Sequence, residues 1–125
     1  MKVSCGTDII EIERIKESIE DMGKPFLERV FTEKEIEYCE SKKAQKYQHY
    51  AARFAAKEAT FKAISCMLND KYSVTWKDIE VLNDKQGRPS INLYGVKQQE
   101  KIDNIDISIS HCKNYAVAYV VVVHK

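Results

Sequence analysis

The arrangement of apolar and polar residues changes character near residue 70. Upstream, apolar positions recur at three- and four-residue spacing, the period of a helix face; downstream they alternate or run together, as in strands. Val3 to Ile10 reads as a first strand, with Gly6 permitting a close backbone approach or a bulge. Glu11 to Met22 follows as a helix whose Ile12, Ile15, Ile19 and Met22 share one face. Gly23 suits the end of that helix, and Pro25 opens the next short segment. Thr32 and Glu35 have capping-box spacing, so a helix is expected from Glu33 to about Ser41. The next helix starts within Lys42–Gln48 and continues to about Leu68. Its interior is rich in alanine and free of Gly and Pro. At roughly 20 residues or more it would be about 30 Å long.

The second half reads as strands. Asp78–Leu82 and Pro89–Tyr94 are strand candidates, separated by turn chemistry at Asn83–Gly87. Val96–Lys101 is a short helix candidate. Asp106–His111 alternates, Ile107 and Ile109 on one face and Ser108 and Ser110 on the other. After a tight turn at Lys113-Asn114, Tyr115–Val123 is apolar almost throughout, the pattern of a strand covered on both faces by core or by another subunit. The expected fold class is α+β: a mostly antiparallel sheet, built from the first strand and the later hairpins, packed against a long central helix. No repeat, low-complexity tract or linker interrupts residues 1–125, which read as one domain.

Composition narrows the function. The chain is 44% hydrophobic and 31% charged, the balance of an ordinary globular protein. Lys+Arg (20) and Asp+Glu (19) nearly cancel, so no global field draws it to nucleic acid or to an anionic membrane. A phosphate-rich ligand would have to be met by local clusters of cations. No run approaches the length of about 18 apolar residues that a membrane span needs. The N-terminus does not resemble a signal peptide, so the expected compartment is the cytosol. Cys5, Cys39, Cys66 and Cys112 form no C-x-x-C pair and read as reduced, partly buried small hydrophobes.

Two places carry candidate chemistry. On the long helix, Glu58 and Lys62 are four apart and share a face, with Arg53 and Lys57 on an adjacent stripe. This is either a solvated charged face or, given the alanines at 51, 52, 55, 56, 59 and 63, a closely packed helix whose charges serve a ligand. Asp8, near the end of the first strand, is either a helix N-cap or a ligand for a hard cation. His111 and Ser110 could sit at the surface or meet phosphate and amide groups. Lys85, Gly87, Arg88 and Pro89 form a hairpin turn whose two cations could also meet a phosphate. Glu35 is a capping-box partner or a base.

Taken in order, Gly6-Thr7-Asp8-Ile9, Phe31-Thr32 with Glu35, Arg53-Phe54-Ala55-Ala56-Lys57-Glu58-Ala59 with Lys62-Ala63, Trp76–Val81, Asn83-Asp84, Gly87-Arg88-Pro89 and Ser108-Ile109-Ser110-His111 span nearly the whole chain. Together they resemble the holo-acyl-carrier-protein synthase family of small 4′-phosphopantetheinyl transferases. The resemblance implies transfer of the 4′-phosphopantetheine arm of coenzyme A to a serine of apo acyl carrier protein, with release of adenosine 3′,5′-bisphosphate, in support of fatty acid biosynthesis. It implies Asp8 and Glu58 as Mg²⁺ ligands and a homotrimer with coenzyme A between neighbouring subunits. Lys62 would stabilise or protonate the leaving bisphosphate, and Glu35 would act as base through a water. Arg53, Lys85, Arg88 and His111 would meet the remaining phosphates, with Gly87, Pro89 and Ser110 beside them. Arg14, Lys24 and Arg29 would meet the acidic helix of the carrier protein. Larger relatives carry a further carboxylate where this chain has Ile10, a departure that matches the short trimeric group. Two rivals remain at this point: a coenzyme A pyrophosphate hydrolase using the same site, and a non-enzymatic trimeric interaction module.

Overall fold

The computed structural model describes residues 1–125. The chain runs β1 (Lys2–Glu11), α1 (Ile12–Met22), α2 (Lys24–Val30), α3 (Glu33–Glu40), α4 (Lys46–Ile64), β2 (Ile79–Asn83), β3 (Pro89–Leu93), β4 (Ile102–His111) and β5 (Tyr115–His124), with single 3₁₀ turns between several of these. The strands form two antiparallel sheets rather than the single sheet expected. One has the order β1-β5-β4; the other is the β2-β3 hairpin. The hairpin is joined to the main body by side chains: Ile79, Leu93 and Val96 pack against Ile102 and Ile105 of β4.

β1 pairs with β5 without a break from Lys2 to Glu11, so Gly6 is not a bulge. Its role is close approach. A Cβ at Gly6 would overlap the Ala59 carbonyl oxygen and come within 2.8 Å of the Ala63 nitrogen and 2.9 Å of the Lys62 Cβ. The small residues Ala55, Ala56, Ala59 and Ala63 complete this contact, lying fully buried against Ala118, Val120 and Val122 of β5. Close backbone packing of strand on helix is what small residues permit, and it fixes which side chains of β1 and α4 can meet.

The α4 helix has 19 residues; it starts within the expected window, at Lys46, and ends short of Leu68, with 3₁₀ turns at Lys43–Gln45 and Ser65–Met67 flanking it. It is enclosed around most of its circumference. Arg53 and Lys57 are 3% and 1% exposed, so the solvated-face reading fails for that stripe. At α3 the capping box forms as the sequence predicts: the Glu35 N–H donates to Thr32 Oγ1 and the Thr32 N–H donates to Glu35 Oε1. The α1 helix is capped by neither Asp8 nor any other side chain, because β1 continues to Glu11 before the helix begins. All four cysteines are free and only Cys39 is buried; burial pushes its thiol up to about 12.

Candidate active site

In β1, alternation places Ser4, Gly6, Asp8 and Ile10 on the face that meets α4. The close approach at Gly6 brings Asp8 to the helix at Glu58 and Lys62. Lys62 Nζ donates to the Thr7 carbonyl at 3.0 Å and to Asp8 Oδ1 at 3.3 Å. The Lys62 side chain is 53% exposed and that of Asp8 19%, so the pair borders solvent. Glu58 is raised above the ordinary glutamate range, first by burial and then by repulsion from Asp8, with Lys62 opposing. Two carboxylates therefore share a site with one ammonium. The remaining charge is negative, and every donor is a hard oxygen. Mg²⁺ takes one or two protein carboxylates and fills its other positions with water and phosphate oxygens, so this donor set fits it.

Glu58 is also where two clefts meet. The smaller, about 300 Å³, is lined by Asp8, Ile9, Ile10, Glu11, Arg14, Phe54, Glu58 and Tyr115. The larger, about 420 Å³, lies between α4 and residues 71–79, with Phe61, Tyr72, Val74, Trp76 and Ile79 supplying apolar walls and Arg29 and Lys71 supplying cations. Arg14 and Arg29, grouped in the sequence only by charge, thus flank Glu58 from opposite clefts. Lys24 lines neither and pairs with Glu28 at 3.6 Å on the exposed surface of α2.

The predicted phosphate ligands separate into three groups. Arg53 is not free to reach a ligand. Its guanidinium donates to Asn83 Oδ1 at 2.5 Å and lies 3.9 Å above the Tyr38 ring, while its Nε is buried without a partner. Asn83 in turn donates to the Gly87 carbonyl at 2.9 Å, so Arg53 holds the hairpin turn in place. That turn, with the Gln86 and Arg88 N–H groups both donating to Asp84 Oδ1, presents Lys85, Gly87 and Arg88 to solvent, with Pro89 half-buried. Ser110 and His111 point in opposite directions. His111 pairs with Ala116 on the helix side of the sheet and its ring stands 6.2 Å from that of His49; Ser110 pairs with Val117 on the outer side. The His49 ring is held below the usual histidine range by burial and by the cations Lys42 and Arg53, with His111 adding to this.

Glu35 requires a correction. It is fully buried, and both carboxylate oxygens are committed: Oε1 accepts from the Thr32 N–H and from Lys57 Nζ (2.7 Å), and Oε2 accepts from the Val81 N–H (2.9 Å). A carboxylate sealed in this way cannot receive a substrate proton, directly or through a water. The sequence reading also missed Trp76, which stacks on Phe54 at 4.8 Å, and the walls at 71–75. The solitary tryptophan before a strand was the one available signal.

A model of the 4′-phosphopantetheinyl transferase superfamily matches residues 4–120. A holo-[acyl-carrier-protein] synthase of Ruminiclostridium cellulolyticum is 50% identical over 98% of this chain and 92% of its own length. One of Geobacter metallireducens is 46% identical, covering 97% of each. Among solved structures, an ACPS–CoA complex from Chronobacterium ammoniagenes superposes with a TM-score of 0.84 at 31% identity, over 100% of this chain and 99% of that one. The Helicobacter pylori holo-[acyl-carrier-protein] synthase in complex with coenzyme A gives 0.82 at 32% identity, over 95% and 99%. Full-length identity and a shared fold converge on one conclusion: the chain belongs to the holo-[acyl-carrier-protein] synthases of the 4′-phosphopantetheinyl transferase superfamily, and is an enzyme.

Proposed function

We propose that the chain moves the 4′-phosphopantetheine of coenzyme A onto a serine of apo acyl carrier protein at the Asp8–Glu58–Lys62 site, with Mg²⁺, releasing adenosine 3′,5′-bisphosphate as by-product and supplying holo carrier protein for fatty acid biosynthesis. The observation that carries this is the convergence of Asp8 from β1 with Glu58 and Lys62 from α4, at the junction of two clefts. The serine oxygen attacks the phosphorus that bears pantetheine, and the phosphoanhydride bond breaks with its electrons going to the bisphosphate. Asp8 and Glu58 would hold Mg²⁺, which when bound neutralises diphosphate charge. Lys62, half exposed and loosely bonded, supplies the positive charge and proton for the departing bisphosphate. With Glu35 sealed and Asp8 and Glu58 taken up in holding the metal, the serine proton passes to solvent water at the open edge of the site, which Lys62 and Asp8 border.

A homotrimer is supported by the outer side of the β1-β5-β4 sheet. Val3 (63% exposed), Ile9 (65%), Tyr115 (45%) and Tyr119 (48%) lie there, with Val117, Val121 and Val123 between them. An apolar sheet face of this kind calls for a covering partner. Ser110 stands on it, turned away from its own Asp8–Glu58 site, as expected if coenzyme A lies between subunits and takes contacts from two of them. Residues 1–125 act as one phosphopantetheinyl transferase domain, with α4 touching both sheets. No helix is long and apolar enough to cross a membrane; the proposed place of work is the cytoplasm, where coenzyme A and the carrier protein would be met.

The test is incubation with coenzyme A, Mg²⁺ and an apo carrier protein. Carrier mass rising by one phosphopantetheine, with bisphosphate released in equal amount, is expected. Bisphosphate released without carrier modification would instead mean hydrolysis.

A further inference from the structure

Lys57 immediately precedes Glu58, yet its side chain is 1% exposed and turned into the core behind the larger cleft that both residues line. Its three N–H bonds are fully used: Nζ donates to Glu35 Oε1 at 2.7 Å, to the Trp76 carbonyl at 2.9 Å and to the Ile79 carbonyl at 2.5 Å. Glu35 is likewise saturated by Thr32, Val81 and Lys57. One buried ion pair therefore joins the start of α3, the middle of α4, the turn at Trp76–Asp78 and the start of β2. Trp76 and Ile79 are walls of the larger cleft, and Glu58 lines it from the helix. The indole of Trp76 is further held against Phe54, which lines the smaller cleft.

We infer that the Lys57–Glu35 pair is the positioning device of this enzyme: through the Trp76 and Ile79 carbonyls it sets the distance between the cleft wall and Glu58, and so the shape offered to the extended part of coenzyme A. Both side chains are buried, Glu35 0% and Lys57 1% exposed, and every polar hydrogen of the Lys57 ammonium is held by protein. An ion pair suits this task better than apolar packing because it binds fixed backbone atoms at fixed lengths. Carbonyl oxygens and a carboxylate converging on an ammonium leave little freedom in the segment that carries them. The burial that pushes Lys57 down is opposed by Glu35, so removing one partner leaves the other charge stranded. The inference rests on the transfer reading only for its kinetic arm.

The experiment uses the double variant Glu35→Gln/Lys57→Met in the full chain, with Trp76, the only tryptophan, as an internal reporter. Two results are expected. Without substrate, Trp76 emission shifts to the red and acrylamide quenching rises, because the wall loosens. With coenzyme A, KM for coenzyme A rises about tenfold while kcat stays within about twofold. If the double variant does not fold, Lys57→Arg is measured in its place. Its planar fork cannot reach the same three acceptors, so the same directions are expected. A folded variant with unchanged emission and unchanged KM overturns the inference, as does a loss confined to kcat, which would make the pair part of the chemistry. If the wild type transfers nothing, the function reading fails, and the substrate-free emission still decides the wall claim.

Discussion

Gly6 of β1 lies so close to Ala59 of α4 that a single methyl group on Gly6 would overlap the Ala59 carbonyl oxygen. The obstacle is helix backbone, not a flexible side chain, so strand and helix would have to separate. Gly6→Ala should cost about 3 kcal/mol or more, at the upper end of overpacking effects. It should also lower transfer activity in the fraction that stays folded, because the same contact brings Asp8 to Glu58. Thermal unfolding followed by circular dichroism checks the first, and the transfer assay on folded protein checks the second. A variant with wild-type melting would remove Gly6 from the account.

Glu80 predicts an acid dependence. It is 3% exposed and accepts from Thr32 Oγ1 at 2.5 Å and Tyr94 OH at 2.7 Å. Burial raises its pKa, but the two hydroxyl donors, aided by Lys34 and Lys57, outweigh it and hold Glu80 below its ordinary 4.5. A depressed carboxylate contributes stability that is complete above the unfolded value and lost as pH falls through the folded one. Urea midpoints should therefore fall below about pH 4.5, and Glu80→Gln should flatten that part of the profile. An unchanged slope in the variant would assign the acid loss elsewhere.

Thr32 serves two partners, capping α3 and donating to Glu80. Thr32→Ala removes both bonds and should cost about 2 kcal/mol, the upper range for a lost cap. Thr32→Ser keeps both oxygens and should recover most of the loss. Equal stability of the alanine and serine variants would contradict this.

Arg14 and Arg29 flank Glu58 from separate clefts and are both exposed, which supports them as contacts for an acidic carrier surface. Arg14→Glu should raise KM for the carrier by about tenfold while leaving KM for coenzyme A nearly unchanged, and should flatten the salt dependence of the reaction. Lys24, already paired with Glu28, should matter less. A rise in KM for coenzyme A alone would place Arg14 on the nucleotide side.

The helices before residue 70 were legible because caps, glycine and apolar period agree locally. The capping box at Thr32 and the end of α1 at Gly23 are where the sequence puts them. Glu58 and Lys62 could be placed together from helix spacing. That Asp8 joins them came only from resemblance, since a β1–α4 contact depends on Gly6 meeting Ala59, which no local pattern records. The burial of Arg53, Lys57 and Glu35 was not legible for one reason: charged residues are seldom buried, and the partners beyond the capping box that make burial possible lie 19 to 46 residues away in the chain. The opposite facing of Ser110 and His111 was readable from strand alternation, because adjacent residues on a strand point to opposite sides.

The central claim is that Asp8 and Glu58 together make the metal and phosphate site. Phosphopantetheinyl transfer should be measured by carrier mass for the wild type, Asp8→Asn and Glu58→Gln at physiological Mg²⁺. Each variant should keep its circular dichroism spectrum and lose about a hundredfold or more in rate. Near-full turnover by either folded variant would contradict the two-carboxylate site.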